Sequence, residues 1–143
     1  SPQPAGRRAH DDRIASELEA IRDRREFEAF ARQWYAQPLF RSLTRSTDLD
    51  ALIARRIRQS PVGPAAALRM FSTGAQPNLG DRKFATPVRA LAGEHDTKYV
   101  ALFATLAARC DGLDCGTIPA AGHAPHLEAP DAVARQLLAD LTR

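Results

Sequence analysis

In the first part of the chain, apolar residues recur at helical spacing. Ile14, Leu18 and Ile21 share one helical face, and Phe27, Phe30 and Ala31 continue the period. The pattern predicts a loop over residues 1–6 and helix over 7–31, broken around Arg24-Arg25. Trp34-Tyr35-Ala36-Gln37-Pro38-Leu39-Phe40 then gathers aromatics about a proline, which must end or kink that helix. Leu49, Leu52, Ile53 and Ile57 predict a further short helix, with Ser46-Thr47-Asp48 before it as capping candidates. Residues 60–64 read as a turn, 65–71 as a helix, and 72–78 as its close.

The character of the pattern changes at about Lys83. Residues 87–93 form a short apolar run bounded by turn residues, which predicts a strand. An Ala/Leu/Phe helix over 98–109, a second strand over 113–118 and an amphipathic helix over 131–141 follow. Strand, helix, strand, helix means a parallel pair in an α/β sheet. Such sheets are covered on both faces and need neighbouring strands. Residues 1–82 offer helices but no strands to supply them. The expected fold class is therefore α/β, with a helical lid over 1–82 followed by the last part of a larger sheet over 83–143.

Composition narrows the class only slightly. The 143 residues are 44% hydrophobic and 26% charged, as in ordinary globular chains. No apolar stretch approaches the roughly 20 residues that a membrane span needs. The opening Ser1-Pro2-Gln3-Pro4 lacks the apolar core of a signal peptide. Cys110 and Cys115 are too few for a disulfide framework, which points to a reduced, cytoplasmic compartment. The net charge is +3, and among 20 basic residues only Lys83 and Lys98 are lysines. Genomic base composition can produce that bias, and so can an anionic substrate, since guanidinium forks match carboxylates. A nucleic-acid partner is not expected, because the bases alternate with acids, as in Arg22-Asp23-Arg24-Arg25-Glu26.

The candidate chemistry lies on two loops. Leu91-Ala92-Gly93-Glu94-His95-Asp96 places an acid after the first strand, and Pro119-Ala120-Ala121-Gly122-His123 places a histidine after the second. Ligands of open α/β sheets bind at the carboxyl ends of strands. There, an aspartate can orient an imidazole and the imidazole can exchange a proton with a reacting group. Either residue alone has a structural use, Asp96 as a turn or helix cap and His123 as a surface-loop histidine. Together, at this spacing, they read as the acid and base of a Ser…Asp…His order. His123-x-x-His126-x-Glu128 is too weak a pattern to be read as a metal site. His126 is expected to pack or hydrogen-bond behind His123, and His95 to be a loop residue.

Gly93-Glu94-His95-Asp96-Thr97-Lys98-Tyr99 and the stretch Ile118-Pro119-Ala120-Ala121-Gly122-His123-Ala124-Pro125-His126-Leu127-Glu128 resemble the acid and histidine segments of the α/β-hydrolase superfamily. The Trp34-Tyr35-x-Gln37-Pro38-Leu39-Phe40-x-Ser42-Leu43 block, with Thr73-Gly74-Ala75-Gln76-Pro77, is similar to the 2-succinyl-6-hydroxy-2,4-cyclohexadiene-1-carboxylate synthase family. Those enzymes are lyases of menaquinone biosynthesis. The resemblance implies a serine–histidine–aspartate triad that removes a proton and eliminates pyruvate, without a cofactor or metal. It implies Asp96 as the triad acid and His123 as the base. It also implies that Arg7 and Arg56 bind carboxylates of a small anionic substrate, with Arg8 and Arg55 as the alternative registers, and that Trp34 lies near that substrate.

One part of the pattern is missing. No G-x-S-x-G surrounds Ser1, Ser16, Ser42, Ser46, Ser60 or Ser72, so the nucleophile is expected outside this chain, on a serine-bearing N-terminal half of the fold. Ser1-Pro2 resembles a point just past the strand that follows the nucleophile. The chain by itself is expected to be inactive and to expose an open sheet edge. Two further readings follow from the same residues: an α/β hydrolase acting on esters, and a non-catalytic module that binds a partner through that edge.

Overall fold

The computed structural model describes residues 4–77 and 83–142. Ser1-Pro2, the end of the 72–78 loop at Asn78 and the residue-82 boundary lie outside that range. The chain divides into two compact units. One holds the described residues through Tyr35 and those from Asp48 to Pro77; the other holds Ala36–Thr47 and the described residues from Lys83 onward.

The first unit is helical. Helix α1 spans Pro4–Glu19 and α2 spans Arg24–Tyr35, so the expected loop over residues 1–6 is already helical at Pro4. Proline is tolerated there because the first N–H groups of a helix have no intrahelical partner. The break between the two helices is chemical. Asp23 Oδ1 accepts from Glu26 N (2.9 Å), while Glu26 Oε2 accepts from Arg22 N (2.9 Å), an acid-based form of the capping box. Helix α4 (Leu49–Arg56) is capped by Asp48, whose side chain accepts from Ala51 N. Helix α5 spans Val62–Phe71, which corrects the turn expected over 60–64. Gly63 and Pro64 lie in its first turn, where a missing N–H costs nothing.

Ile14, Ala15, Leu18, Phe27 and Ala65 form a closed core within this unit, with Ile21, Phe30, Trp34, Ile57 and Leu68 packed against it. Arg69 ties α5 to α1 on the outside, bonding Glu19 (2.7 Å), Asp12 (3.2 Å) and Ser16 (3.1 Å). The Arg69 guanidinium holds the Glu19 carboxyl below its ordinary range, chiefly through the hydrogen bond.

The second unit opens with a 3-10 turn, Pro38–Phe40, and a short helix α3, Arg41–Ser46. Strand β1 (Val88–Gly93) and strand β2 (Leu113–Ile118) pair in parallel, from Val88 opposite Leu113 to Gly93 opposite Ile118. Helix α6 (Thr97–Ala107) connects them; α7 (Pro125–Glu128) and α8 (Pro130–Leu141) follow. The α/β expectation therefore holds for this unit, and its two strands match the apolar runs. Arg89 on β1 fastens the layer: Nη1 donates to Asp114 on β2 (2.7 Å), and Nε lies 3.2 Å from Asp140 on α8 without hydrogen-bond geometry. A side chain at Gly116 would meet Arg89 Nη2 at 2.9 Å, so the guanidinium would have to shift to admit one. No helix among the described residues is long and apolar enough to cross a membrane.

Candidate active site

The ends of β1 and β2 lie side by side, and the loops that leave them stay hydrogen-bonded. Glu94 N donates to Ile118 O (3.0 Å) and His95 N to Ala121 O (2.8 Å). Gly93 makes this join possible. A Cβ there would lie 2.0 Å from Gly122 O and 2.5 Å from Ala121 O, closer than any side chain can come. The turn into the histidine loop passes through Ala120 at φ 55°, an uncommon conformation for a residue with a Cβ. Its N–H donates to Glu94 Oε2 (2.9 Å), so the acid beside Asp96 fastens the strained turn.

Asp96 uses its two oxygens separately. Oδ1 accepts from Tyr99 N (3.3 Å) and caps α6, while Oδ2 lies 2.6 Å from His123 Nδ1. The helix cap and the histidine partner, which the sequence offers as alternatives, are both present. A carboxylate only accepts, so Nδ1 carries a proton, and in the neutral imidazole Nε2 keeps its lone pair. The Asp96 side chain is 8% exposed and that of His123 27%, so the acid is sheltered and the imidazole reachable. Tyr99 and Phe40 flank the ring, with centroids at 5.1 and 5.8 Å.

Glu128 is the residue of this site that sequence reasoning missed. Its Oε2 accepts from Gly122 N (2.8 Å) and its Oε1 from Ala124 N (2.9 Å), so one carboxylate grips the amides on both sides of His123. The signal was an acid five residues after the histidine, on a stretch read as loop that forms α7. His126 is exposed on that helix rather than packed behind His123. His95 is an exposed loop residue, as expected.

The imidazole opens into a cavity of about 560 Å³ whose lining includes Leu39, Ser42, His95, Asp96 and Lys98. None of the described serines sits between a strand and a helix: Ser16, Ser42 and Ser46 are on helices, and Ser60 and Ser72 flank α5.

The helical unit has a cavity of its own, about 400 Å³, lined mainly by apolar side chains such as Ile14, Phe30 and Leu68. Three charged groups interrupt that lining: Arg7, Asp11 and Arg56. Of the two registers left open, Arg7 and Arg56 are therefore the arginines at the cavity wall. Arg56 Nε donates to Tyr35 Oη (3.1 Å). Trp34 lines the same cavity, packs on the core and stacks on Phe30 (6.2 Å between centroids), so it belongs to the apolar packing of the helical unit. Among the described residues, no three His, Cys, Asp or Glu side chains cluster as metal ligands would.

An acid after one parallel strand, hydrogen-bonded to a histidine after the next, is the arrangement that the acid and histidine of an α/β-hydrolase site require. The chain matches a part of that fold. No family model matches the sequence. It is, however, 41% identical over 108 residues to the 2-succinyl-6-hydroxy-2,4-cyclohexadiene-1-carboxylate synthases of Escherichia coli K12 and Escherichia fergusonii. The matched part is 73% of this chain and 40% of each synthase. MenH from S. aureus has a similar structure, with a TM-score of 0.81 and 31% identity, over 97% of this chain and 52% of that one. The chain thus spans about two-fifths of the length of these synthases and matches a part of their fold.

Proposed function

We propose that this chain forms the lid and the acid–base half of a carbon–oxygen lyase. That enzyme would eliminate pyruvate from 2-succinyl-5-enolpyruvyl-6-hydroxy-3-cyclohexene-1-carboxylate to give 2-succinyl-6-hydroxy-2,4-cyclohexadiene-1-carboxylate, in cytoplasmic menaquinone biosynthesis. The observation that carries the reading is the Asp96–His123 hydrogen bond at the ends of two parallel strands, in a chain so similar to the synthases. In the proposal the triad serine comes from outside this sequence, on a partner half of the same fold. Residues 1–82 supply the lid and 83–143 the core, with Ala36–Thr47 grouped beside the histidine.

His123 Nε2 takes the proton that the serine oxygen relays from a substrate carbon, and Asp96 stabilises the resulting imidazolium. The C–O bond to the enolpyruvyl group then breaks, and the proton returns to the departing enolate as pyruvate. No water is consumed. Arg7 and Arg56 hold substrate carboxylates against a mainly apolar wall, and Trp34 covers the bound ring.

The test is pyruvate release by the chain combined with a serine-bearing half. His123→Ala should abolish nearly all of it, by a factor of order 10⁶ if it follows other triads. Arg7→Ala or Arg56→Ala should lower kcat/KM about 10- to 150-fold, the worth of one charge-assisted bond. Cleavage of a small neutral ester should hardly change in the arginine variants. Equal losses on both substrates would turn the reading toward an ester hydrolase whose lid arginines are structural. No turnover of either substrate would leave a binding module.

A further inference from the structure

We propose that Asp11 is the positioning residue for Arg7, and that the loop after α5 exists in its present form to hold Asp11. This rests on the anion-binding reading of Arg7 given above. Asp11 is 1% exposed, yet it is charged and lies one turn along α1 from Arg7. Burying a carboxylate is costly unless something compensates it. The compensation converges on one oxygen: Oδ2 accepts from Arg7 Nε (3.0 Å) and from the buried Ser72 hydroxyl (2.8 Å). Ser72 Oγ in turn accepts from Gly74 N (3.2 Å). Oδ1 is buried without a hydrogen-bond partner among the described residues.

Two features of this network serve no evident purpose in stability. Arg7 stands in the first turn of α1, which contains no acid, and a cation at that end opposes the helix dipole. A carboxylate with one buried, unpartnered oxygen is likewise a poor structural choice, since a neutral residue would avoid the cost. What the pair does achieve is direction. Nε is occupied by Asp11, so the guanidinium is fixed at one edge while its side chain remains 44% exposed at the cavity wall. A long side chain ordered beforehand loses less freedom when it binds an anion.

Gly74 explains the Thr73-Gly74 pair that the sequence singles out. A Cβ at Gly74 would fall 2.3 Å from Pro4 O and 2.7 Å from Arg8 N. Only glycine lets the loop lie against the start of α1, which brings Ser72 within reach of Asp11.

The experiment is calorimetric titration of the full chain with succinate, a plain dicarboxylate, alongside thermal melts. Asp11→Asn removes a negative charge near an anion site, so through charge alone it should tighten binding. Positioning predicts the opposite sign: affinity about 2- to 12-fold weaker, the effect of having to order one long side chain on binding. The melting temperature should hold or rise, because a buried charge has gone. Equal or tighter succinate binding by Asp11→Asn, with Arg7→Ala still weakened, overturns the positioning role and leaves the Arg7 reading intact. Arg7→Ala binding as well as the wild type overturns both. Lower stability with unchanged affinity in the folded protein marks Asp11 as structural only and also overturns the proposal. Ser72→Ala, which keeps every charge, gives an independent reading should Asp11→Asn not fold. It should weaken succinate binding by a smaller factor, and unchanged affinity there counts against the network.

Discussion

In the helical unit, Ile14, Ala15, Leu18, Phe27 and Ala65 close an apolar core; in the histidine-bearing unit, α6 and α8 bury no residue at all. Leu138 on α8 is 64% exposed and Leu141 83%, beside a sheet of only two strands. The difference shows what holds each site. The cavity of the helical unit is shaped by packing. The Asp96–His123 pair has Phe40 and Tyr99 against its ring, and its loops are held by polar contacts and bare backbone: Glu94 on Ala120, Glu128 on the amides around His123, and glycine where the two loops meet. The chemistry can therefore be well aligned in a unit whose two long helices, α6 and α8, bury no residue.

The largest expected effect tests the polar half of that contrast. Asp96→Asn should lower pyruvate release by the completed enzyme about 10⁴-fold, through loss of tautomer and orientation. Asparagine still caps a helix, so α6 should stay folded and circular dichroism should not change. Retention of more than a tenth of the activity would remove Asp96 from the triad. The apolar half is tested by hydrogen exchange on the chain alone. Amides in α1 and α5 should exchange slower than those in β1 and β2 by a factor of order 100, since protection follows the buried core. Equal protection would mean that the two strands find cover which the exposed leucines do not suggest.

Much of this was legible because it rests on local rules. Both strands were visible as apolar runs between turn residues, and Asp48 could be identified as a cap from its place before Leu49. The Asp96 and His123 loops were visible because strand ends are where such side chains gather. What escaped depends on contacts distant in sequence or on short elements without a period. Helix α3 has six residues and α7 four, too few to show a hydrophobic repeat. Helix α5 starts inside Val62-Gly63-Pro64, where helix-breaking residues are harmless only because they occupy the first turn. Nothing in the spacing of Asp11 and Ser72 reveals that they meet 61 residues apart.

Glu128 should show a smaller effect than Asp96. In Glu128→Gln one amide-accepting oxygen becomes an NH₂ group facing a backbone N–H, at a cost of about 1–3 kcal/mol. If the polar contacts hold the site, that loss should fall on kcat, roughly 5- to 150-fold, with KM unchanged. The Nδ1 proton resonance of His123 should also broaden or shift, as the loop loosens. Unchanged kcat, with a lower melting temperature, would make Glu128 a support for the fold rather than for the imidazole.

The smallest effect concerns whether the two units unfold together. Glu19 bonds Arg69 across α1 and α5, and its carboxyl is held below the ordinary range chiefly by that hydrogen bond. A carboxyl with a lowered folded pKa adds stability above its unfolded value, near 4.3, and that contribution is lost as the pH falls through the folded value. Wild type and Arg69→Ala should therefore differ in melting temperature at neutral pH and converge in acid. Added salt should narrow the gap at neutral pH, because the pair is exposed. A gap that persists below the lowered value would mean that Arg69 acts through packing of its stem rather than through its charge. The same variant, followed by hydrogen exchange, sharpens the contrast between the units. If Arg69→Ala speeds exchange in α1 and α5 but leaves β1 and β2 unchanged, the helical unit opens independently. If all four respond alike, the core of the helical unit also stabilises the strands that carry the acid and the histidine, despite the exposed leucines of α8.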